Sequence, residues 1–431
     1  MANCYFPRLR MLRGDDEGQA LVLTALGVMM LLMMAAIGLD VGFLHYEKQQ
    51  MQKAADAASV AAATTLAYSG DYTDAALHDS AANGFINGTN NVTVTVNNPP
   101  QTPTDPFYLN SSYVEVIVTK LQPTFFMGVD NLGVLNVRSR SVANINGNAS
   151  GCIYALDPTD SGSLLVDGNV TLSATCGIYV ESNSSNALVK NGNGSPGSGI
   201  AVSGPPNVGI GIVGDNPGYT GAPITPTPIT GIPRFNDPLG TVPAPSIANC
   251  GAGSFDLRTK TYSPGGTGCG TFSNISITGT GTYTFLPGIY YIQGGGLSVS
   301  NGANVVGSGV TFYMSRAANG NYRGVSIGGS TVTNLSAPTS GSLKGMLFFQ
   351  DRSVPINTGQ PEASSFDGSN GATFTGALYF PSTVVQFKGT PGLASYSPIV
   401  AYQIQFKGDA TMKNAALPNN QSPIPGATLV E

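Results

Sequence analysis

Enzyme chemistry needs bases, nucleophiles or metal ligands at workable spacings, and this chain of 431 residues is poor in all of them. Histidine occurs twice, at His45 and His78. With so few imidazoles, most metal-hydrolase and Ser/Cys–His schemes have no base to use. Five cysteines are present, Cys4, Cys152, Cys176, Cys250 and Cys269, and none forms a CxxC. A zinc ribbon or thioredoxin-type motif is not indicated. The last four fall into pairs 24 and 19 residues apart. In an oxidising compartment Cys152–Cys176 and Cys250–Cys269 is the simplest of three possible disulfide pairings, with buried free thiols as the alternative. From residue 146 onward only twelve Asp and Glu occur. Asp167, Asp351 beside Arg352, and Asp367 lie in or beside strand-like segments and are the candidates for polysaccharide chemistry. That chemistry needs carboxylates held close together, and nothing in the sequence gathers these, so they read as surface charge. The 18 tyrosines could stack on sugars, but tyrosine is common in strands. No catalytic, cofactor or metal residue is assigned, and no enzyme activity is expected.

The elements that carry these residues follow from composition. Charged residues make up 10% of the chain, against roughly 25% in ordinary globular proteins. Glycine (56) and proline (29) are abundant, yet hydrophobic residues reach 41% and recur in short β-branched runs. Disordered chains lack such runs, so many short strands joined by tight turns are expected. The net charge of −5 comes without a basic cluster or stripe, so nucleic acid is not an expected partner.

The stretch Ala20–Leu39 holds twenty residues without a charge. As a helix it is about 30 Å long, the thickness of a bilayer's hydrocarbon core. Residues 1–19 precede it as a tail with Arg8, Arg10 and Arg13, and positive charge favours the cytoplasmic side. The expected topology is a single pass through the inner membrane with the bulk of the chain periplasmic or extracellular. A cleaved signal peptide is the alternative, but the apolar run exceeds a usual h-region.

From Asp40 the helical pattern continues to residue 67 as an amphipathic stalk. Leu44, Met51, Ala55, Ala58 and Ala62 share one face, and Glu47, Lys48, Gln52 and Asp56 share the other. Ala55, Ala58 and Ala62 allow a neighbouring helix to approach closely. A membrane helix that emerges as a stalk resembles the architecture of pilins and pseudopilins. Gly18-Gln19-Ala20 opens the span, Gly38-Leu39-Asp40-Val41-Gly42 closes it, and Gln52-Lys53-Ala54-Ala55-Asp56-Ala57-Ala58 lies on the stalk. These features resemble the N-terminal segment of TadG-like proteins of the tight-adherence (Flp) pilus-assembly group, over about an eighth of the chain. The resemblance implies a structural or assembly role, with the lipid bilayer and other pilus-assembly or pseudopilin-like proteins as partners through the N-terminal helix.

Residues 68–146 read as a small α+β unit: a helix over 73–86, strands over 92–96, 113–121 and 135–145, and a short helix in Pro123–Val129. Residues 147–417 are β-rich. The segments 164–181 and 297–314 are alike, the apolar runs 345–350 and 376–381 are alike, and Gln-Phe-Lys-Gly occurs at 386–389 and again at 405–408. Recurrence of this kind predicts a right-handed parallel β-helix-like solenoid, with a β-sandwich as the alternative. The Pro/Gly-rich stretch 203–249 is read as a linker or wrapping loop rather than central strand, and 418–431 as a flexible tail. Asp157-Pro158-Thr159-Asp160-Ser161 resembles the D-x-S/T-x-S of a von Willebrand A-type metal site. No amphipathic helices follow it, so it reads as a turn. A membrane-tethered carbohydrate-binding or carbohydrate-active β-helix is the second functional expectation; no residue supports glycan binding directly.

Overall fold

A computed structural model of the protein describes residues 16–67, 71–126, 133–148, 151–192, 198–203, 208–221, 223–328, 331–368, 372–389, 393–394, 398–408, 411–414 and 422–430. The chain divides into two units. The first holds residues up to 66, 71–144 and 429–431; the second is essentially 145–428.

The first unit is built on helix α1, Asp16–Ala67. It contains no proline, so nothing removes a backbone hydrogen bond, and it runs unbroken for about 78 Å. Its N-terminal half is uncovered. Its C-terminal half packs on a four-stranded sheet in which β1 (Val92–Asn97), β2 (Tyr113–Pro123) and β3 (Val134–Asn148) pair antiparallel. Val94 faces Val118 and Val116 faces Ser141. Met51, Ala54, Ala55, Ala58, Ala62 and Ala63 of α1 and Val114, Val116, Val118 and Val142 of the sheet are buried. The alanines let helix and sheet approach closely enough for Ser59 Oγ to meet Ser141 Oγ at 2.8 Å. Helix α2, Tyr72–Ala82, starts where the Asp71 carboxylate accepts from the N–H groups of Thr73 and Asp74. The stalk and the α+β segment, read as separate pieces, are thus one unit. The short helix expected at Pro123–Val129 is absent over Thr124–Phe126, and 127–129 lie outside the described residues. The expected tail, 418–431, contains a strand, Pro425–Leu429, and Val430 donates to Val142 O.

The second unit is mostly parallel β. Its strands form three ladders. The first contains, in spatial order, Gly251–Ala252, Cys269–Phe272, Gly288–Gln293, Val310–Ser315, Met346–Gln350, Ala377–Gly389, Ile399–Gly408, Gly151–Ala155, Gly177–Val180, Ile210–Ile212 and Ile229–Thr230. The second runs beside it from Ile275–Thr278 to Tyr219–Thr220, and the two long strands Ala377–Gly389 and Ile399–Gly408 serve in both. A third set flanks them in two sheets. The similar segments 164–181 and 297–314 occupy equivalent places: each supplies one strand to the second ladder, one to the third and one to the first. Irregular loop lengths blur the repeat. Cys269 pairs with Ile289, 20 residues on, whereas Phe312 pairs with Phe348, 36 residues on.

The order of the first ladder is circular with respect to sequence. The last long strand, Ile399–Gly408, pairs with the first two, Gly151–Ala155 and Leu164–Gly168. The beginning and end of the unit therefore meet inside the stack, and the chain must cross from one end to the other between Thr230 and Gly251. Eleven strands span ten spacings, about 48 Å, and 21 residues reach up to about 70 Å when extended. The Pro/Gly-rich stretch does two jobs. Its first part makes the short end strands, where proline costs few ladder bonds. Its second part, 233–249, is a strap along the outside.

Two apolar clusters result. The interior is a column of rings: Phe285 on Phe312 (5.0 Å), Phe312 on Phe348 (5.2 Å), Phe366 on Phe387 (5.5 Å) and Phe387 on Phe406 (5.1 Å). Ring pairs of this kind contribute about 0.5–1.5 kcal/mol each beyond burial. The second cluster, with Tyr291, Tyr313, Phe349, Tyr379 and Val400, lies under Leu239 of the strap and Ile424.

Candidate functional site

Residues 21–39 of α1 are apolar, and Leu21, Leu31, Leu32 and Met34 are each about two-thirds or more exposed. Leu21–Leu66 is long and apolar enough to cross a membrane, and nothing in the structure covers its most apolar window. Asp40 marks the end of that window. It is fully buried. Its Oδ1 accepts from the Phe125 N–H and its Oδ2 from the Phe126 N–H, each at 2.8 Å. Both oxygens of a carboxylate at the edge of an apolar span are thus satisfied by backbone, worth about 1.5–3 kcal/mol per bond to a charged group. Phe43 meets Phe125 edge to face at 5.2 Å.

Ala55, Ala58 and Ala62 are fully buried, but against the protein's own sheet. Gln52 Nε2 donates to Arg140 O at 2.8 Å and Ser139 Oγ to Lys48 O at 3.2 Å, and Lys120 pairs with Glu47. The expected docking of a partner helix on these alanines is corrected accordingly: that face is already occupied, and the uncovered face of α1 is the apolar half. On the sheet Arg140 pairs with Asp105 and, at 2.6 Å, with the buried Glu115. Glu115 also accepts from Asn97, Gln101 and Thr102.

Residues 18–65 match the family model for Tad, Flp pilus-assembly TadE/G-like. The matched stretch covers the apolar half of α1, Asp40 and the buried alanines. No curated protein and no solved structure matches the chain.

The remaining residues singled out in the sequence are dispersed. Cys152 is bonded to Cys176 and Cys250 to Cys269, with Cα–Cα distances of 5.6 and 4.6 Å. The second bond ties the end of the strap to the first ladder. The strap is held further by Arg234 on Glu181 (2.9 Å), by Phe235 edge-on to Tyr154 and Tyr179, and by Arg352 Nη2 on Val242 O (2.9 Å). Tyr379 donates to Asp237 Oδ2 at 2.6 Å, and Arg352 Nε donates to the same hydroxyl at 2.8 Å. Burial raises the Asp237 pKa above the carboxylate norm, against the opposing pull of Tyr379, the Leu239 N–H and Arg352. Arg352, read as a candidate for chemistry, is thus a strap anchor. Its neighbour Asp351 accepts from Ser353 N and Ser315 Oγ.

Asp367 and Asp167 do share a ladder, in the register Asp367, Lys388, Lys407, Asp167. Three spacings separate them, about 14 Å, beyond the roughly 5–9.5 Å that paired carboxylates need. The two Gln-Phe-Lys-Gly runs stack residue on residue in this ladder, with Gln386 Nε2 on Gln405 Oε1 at 3.1 Å. Gly168, at φ +92°, sits against Gly408 O, where a Cβ would lie 2.7 Å away; only glycine fits. The Asp157 turn is a local hydrogen-bonded turn. Oδ1 accepts from Thr159 N and Asp160 N, and Oδ2 accepts from Gln403 Nε2 at 2.6 Å. Among the described residues no group of three or more His, Cys, Asp or Glu is placed to hold a metal ion. His45 and His78 are exposed.

A cleft of about 760 Å³ lies at the corner between the first and second ladders and is lined by Asn274, Arg316, Tyr322, Arg323, Asn357 and Glu362 among others. The buried Tyr322 hydroxyl makes no hydrogen bond there, although Gln350 lies close enough to act on its ionisation. Burial pushes its pKa up. Sequence reading missed this cleft because its lining comes from loops of four successive turns of chain.

Proposed function

We propose that the protein is a membrane-anchored structural or assembly component of a Flp-type (tight-adherence) pilus or related cell-surface system. α1 spans the inner membrane once through residues 20–39, with residues 1–19 cytoplasmic and the bulk of the chain periplasmic or extracellular. Partner pilus-assembly or pseudopilin-like helices pack against its apolar half within the lipid. The second unit is a right-handed parallel β-helix offered for protein contact. Parallel ladders in register, a stacked interior and the meeting of Gln386–Gly389 with Gln405–Gly408 support that fold. Two disulfides fit an oxidising compartment.

The observation that carries the function is the uncovered apolar half of α1 lying inside the matched stretch. Protease digestion of spheroplasts with mass mapping tests it. The expected result is a protein retained in carbonate-washed inner membranes and digested beyond residue 40 in spheroplasts. Release by carbonate, or protection of the bulk of the chain, refutes the reading. The cleft beside Tyr322 favours a second reading, a carbohydrate-binding β-helix. A glycan array with saturable binding lost in Tyr322→Phe and Arg323→Ala would establish it; Asp351→Ala would leave such binding intact.

A further inference from the structure

Large apolar side chains stand exposed just past the end of β2 and at the start of β3. Phe125 is 68% exposed, Phe126 50%, and Val134, at the start of β3, 59%. These lie at the level of Asp40, where the apolar face of α1 ends, because Asp40 holds the N–H groups of both phenylalanines. Leu39 and Val41, on either side of Asp40, are themselves more than half exposed. The apolar surface is therefore continuous from the span, around Asp40, onto Phe125 and Phe126.

We propose that Phe125 and Phe126, just past the end of β2, are a second membrane contact and lie in the lipid interface beside α1. The proposal rests on the reading that α1 spans the bilayer. Continuity with the span selects lipid as the occupant. An apolar segment at this boundary sits some 5–10 Å into the headgroup region. An unpaired carboxylate at the same depth is costly, and Asp40 is buried there with the backbone N–H groups of Phe125 and Phe126 among its partners. Asp40 is a positioning residue. It makes one rigid piece of α1 and the end of β2, and so sets the height at which the first unit stands on the membrane.

The chain contains no tryptophan, so a single introduced indole reports its own depth. The full chain carrying Phe126→Trp is reconstituted in phosphatidylcholine vesicles with brominated acyl chains. Leu31→Trp, in the middle of the span, is the reference. Both indoles are expected to emit blue-shifted light and to be quenched by bromine, Leu31→Trp from deep bromine positions and Phe126→Trp from shallow ones. Adding Asp40→Ala is expected to abolish quenching at position 126 and to leave it at position 31. Asp40→Asn keeps one acceptor and should fall between. A quenched Leu31→Trp with a water-like, unquenched Phe126→Trp overturns the second contact and leaves the anchor standing. An unquenched Leu31→Trp overturns the anchor itself. Quenching at 126 that is unchanged by Asp40→Ala removes Asp40 from the mechanism.

Discussion

The two units solve the same problem, ordering a chain with few charges, by opposite means. The first buries charge: Arg140 lies between Asp105 and Glu115 on a sheet whose neighbouring strands are close in sequence. The second buries rings, and the register that stacks Phe312 on Phe348 or Ile399 on Ile153 joins residues far apart in the chain. An ionic cluster is directional and fails when one member is lost. A ring column is non-directional and loses stability in proportion to the volume removed. One unit thus depends on a few residues, while the other spreads its stability along a stack and needs covalent and strap contacts to keep its closure.

The largest effects should come from a matched pair of substitutions that separates these modes. Arg140→Ala leaves the buried Asp105 and Glu115 carboxylates without their cation and is expected to cost about 3–5 kcal/mol. Phe348→Ala, amid the rings of Phe312, Phe366 and Phe380, should cost about 3–5 kcal/mol. Hydrogen exchange resolved by peptide checks both: each loss should appear in its own unit only, and loss spreading to both units breaks the comparison. Next, Cys250→Ser with Cys269→Ser opens a 19-residue loop and should cost about 2–4 kcal/mol, seen as a lower denaturant midpoint and early proteolysis within 233–249. Ala58→Gln overpacks the helix–sheet contact and is expected to cost about 1–3 kcal/mol, read as lost protection in the first unit before any loss of assembly.

The smallest effect is electrostatic. The folded pKa of Asp237 is raised, so its contribution is fully present below the unfolded value of 3.8 and is lost as pH rises through the folded value. Strap protection should therefore decline with rising pH across that window in the native protein and stay level in Asp237→Asn. An equal decline in the variant assigns the pH dependence to another group.

Much of this was legible because it is local. The length and hydropathy of Ala20–Leu39, the periodic alanines of the stalk and the cysteine spacing each depend on neighbours in sequence. The Gln-Phe-Lys-Gly pair foretold a stacking that the ladder realises. The Asp40 clamp was not legible, since the two N–H groups it holds stand 85 and 86 residues away and are backbone groups without side-chain identity. Nor was the role of Arg352, whose partner Val242 is 110 residues distant, or the reassignment of the buried alanines from a partner to the protein's own sheet.

Local sequence suffices for the elements: a helix long and apolar enough to cross a bilayer, a stalk with one small-residue face, and strands with their turns. Short-range hydrogen bonding and side-chain period are enough for that. Only the tertiary structure decided which surfaces meet. Joining Ile399–Gly408 to Gly151–Ala155, running the strap over the aromatic face and closing Asp40 on Phe125 and Phe126 are choices among many pairings of similar local quality. They are selected by burial summed over the whole fold.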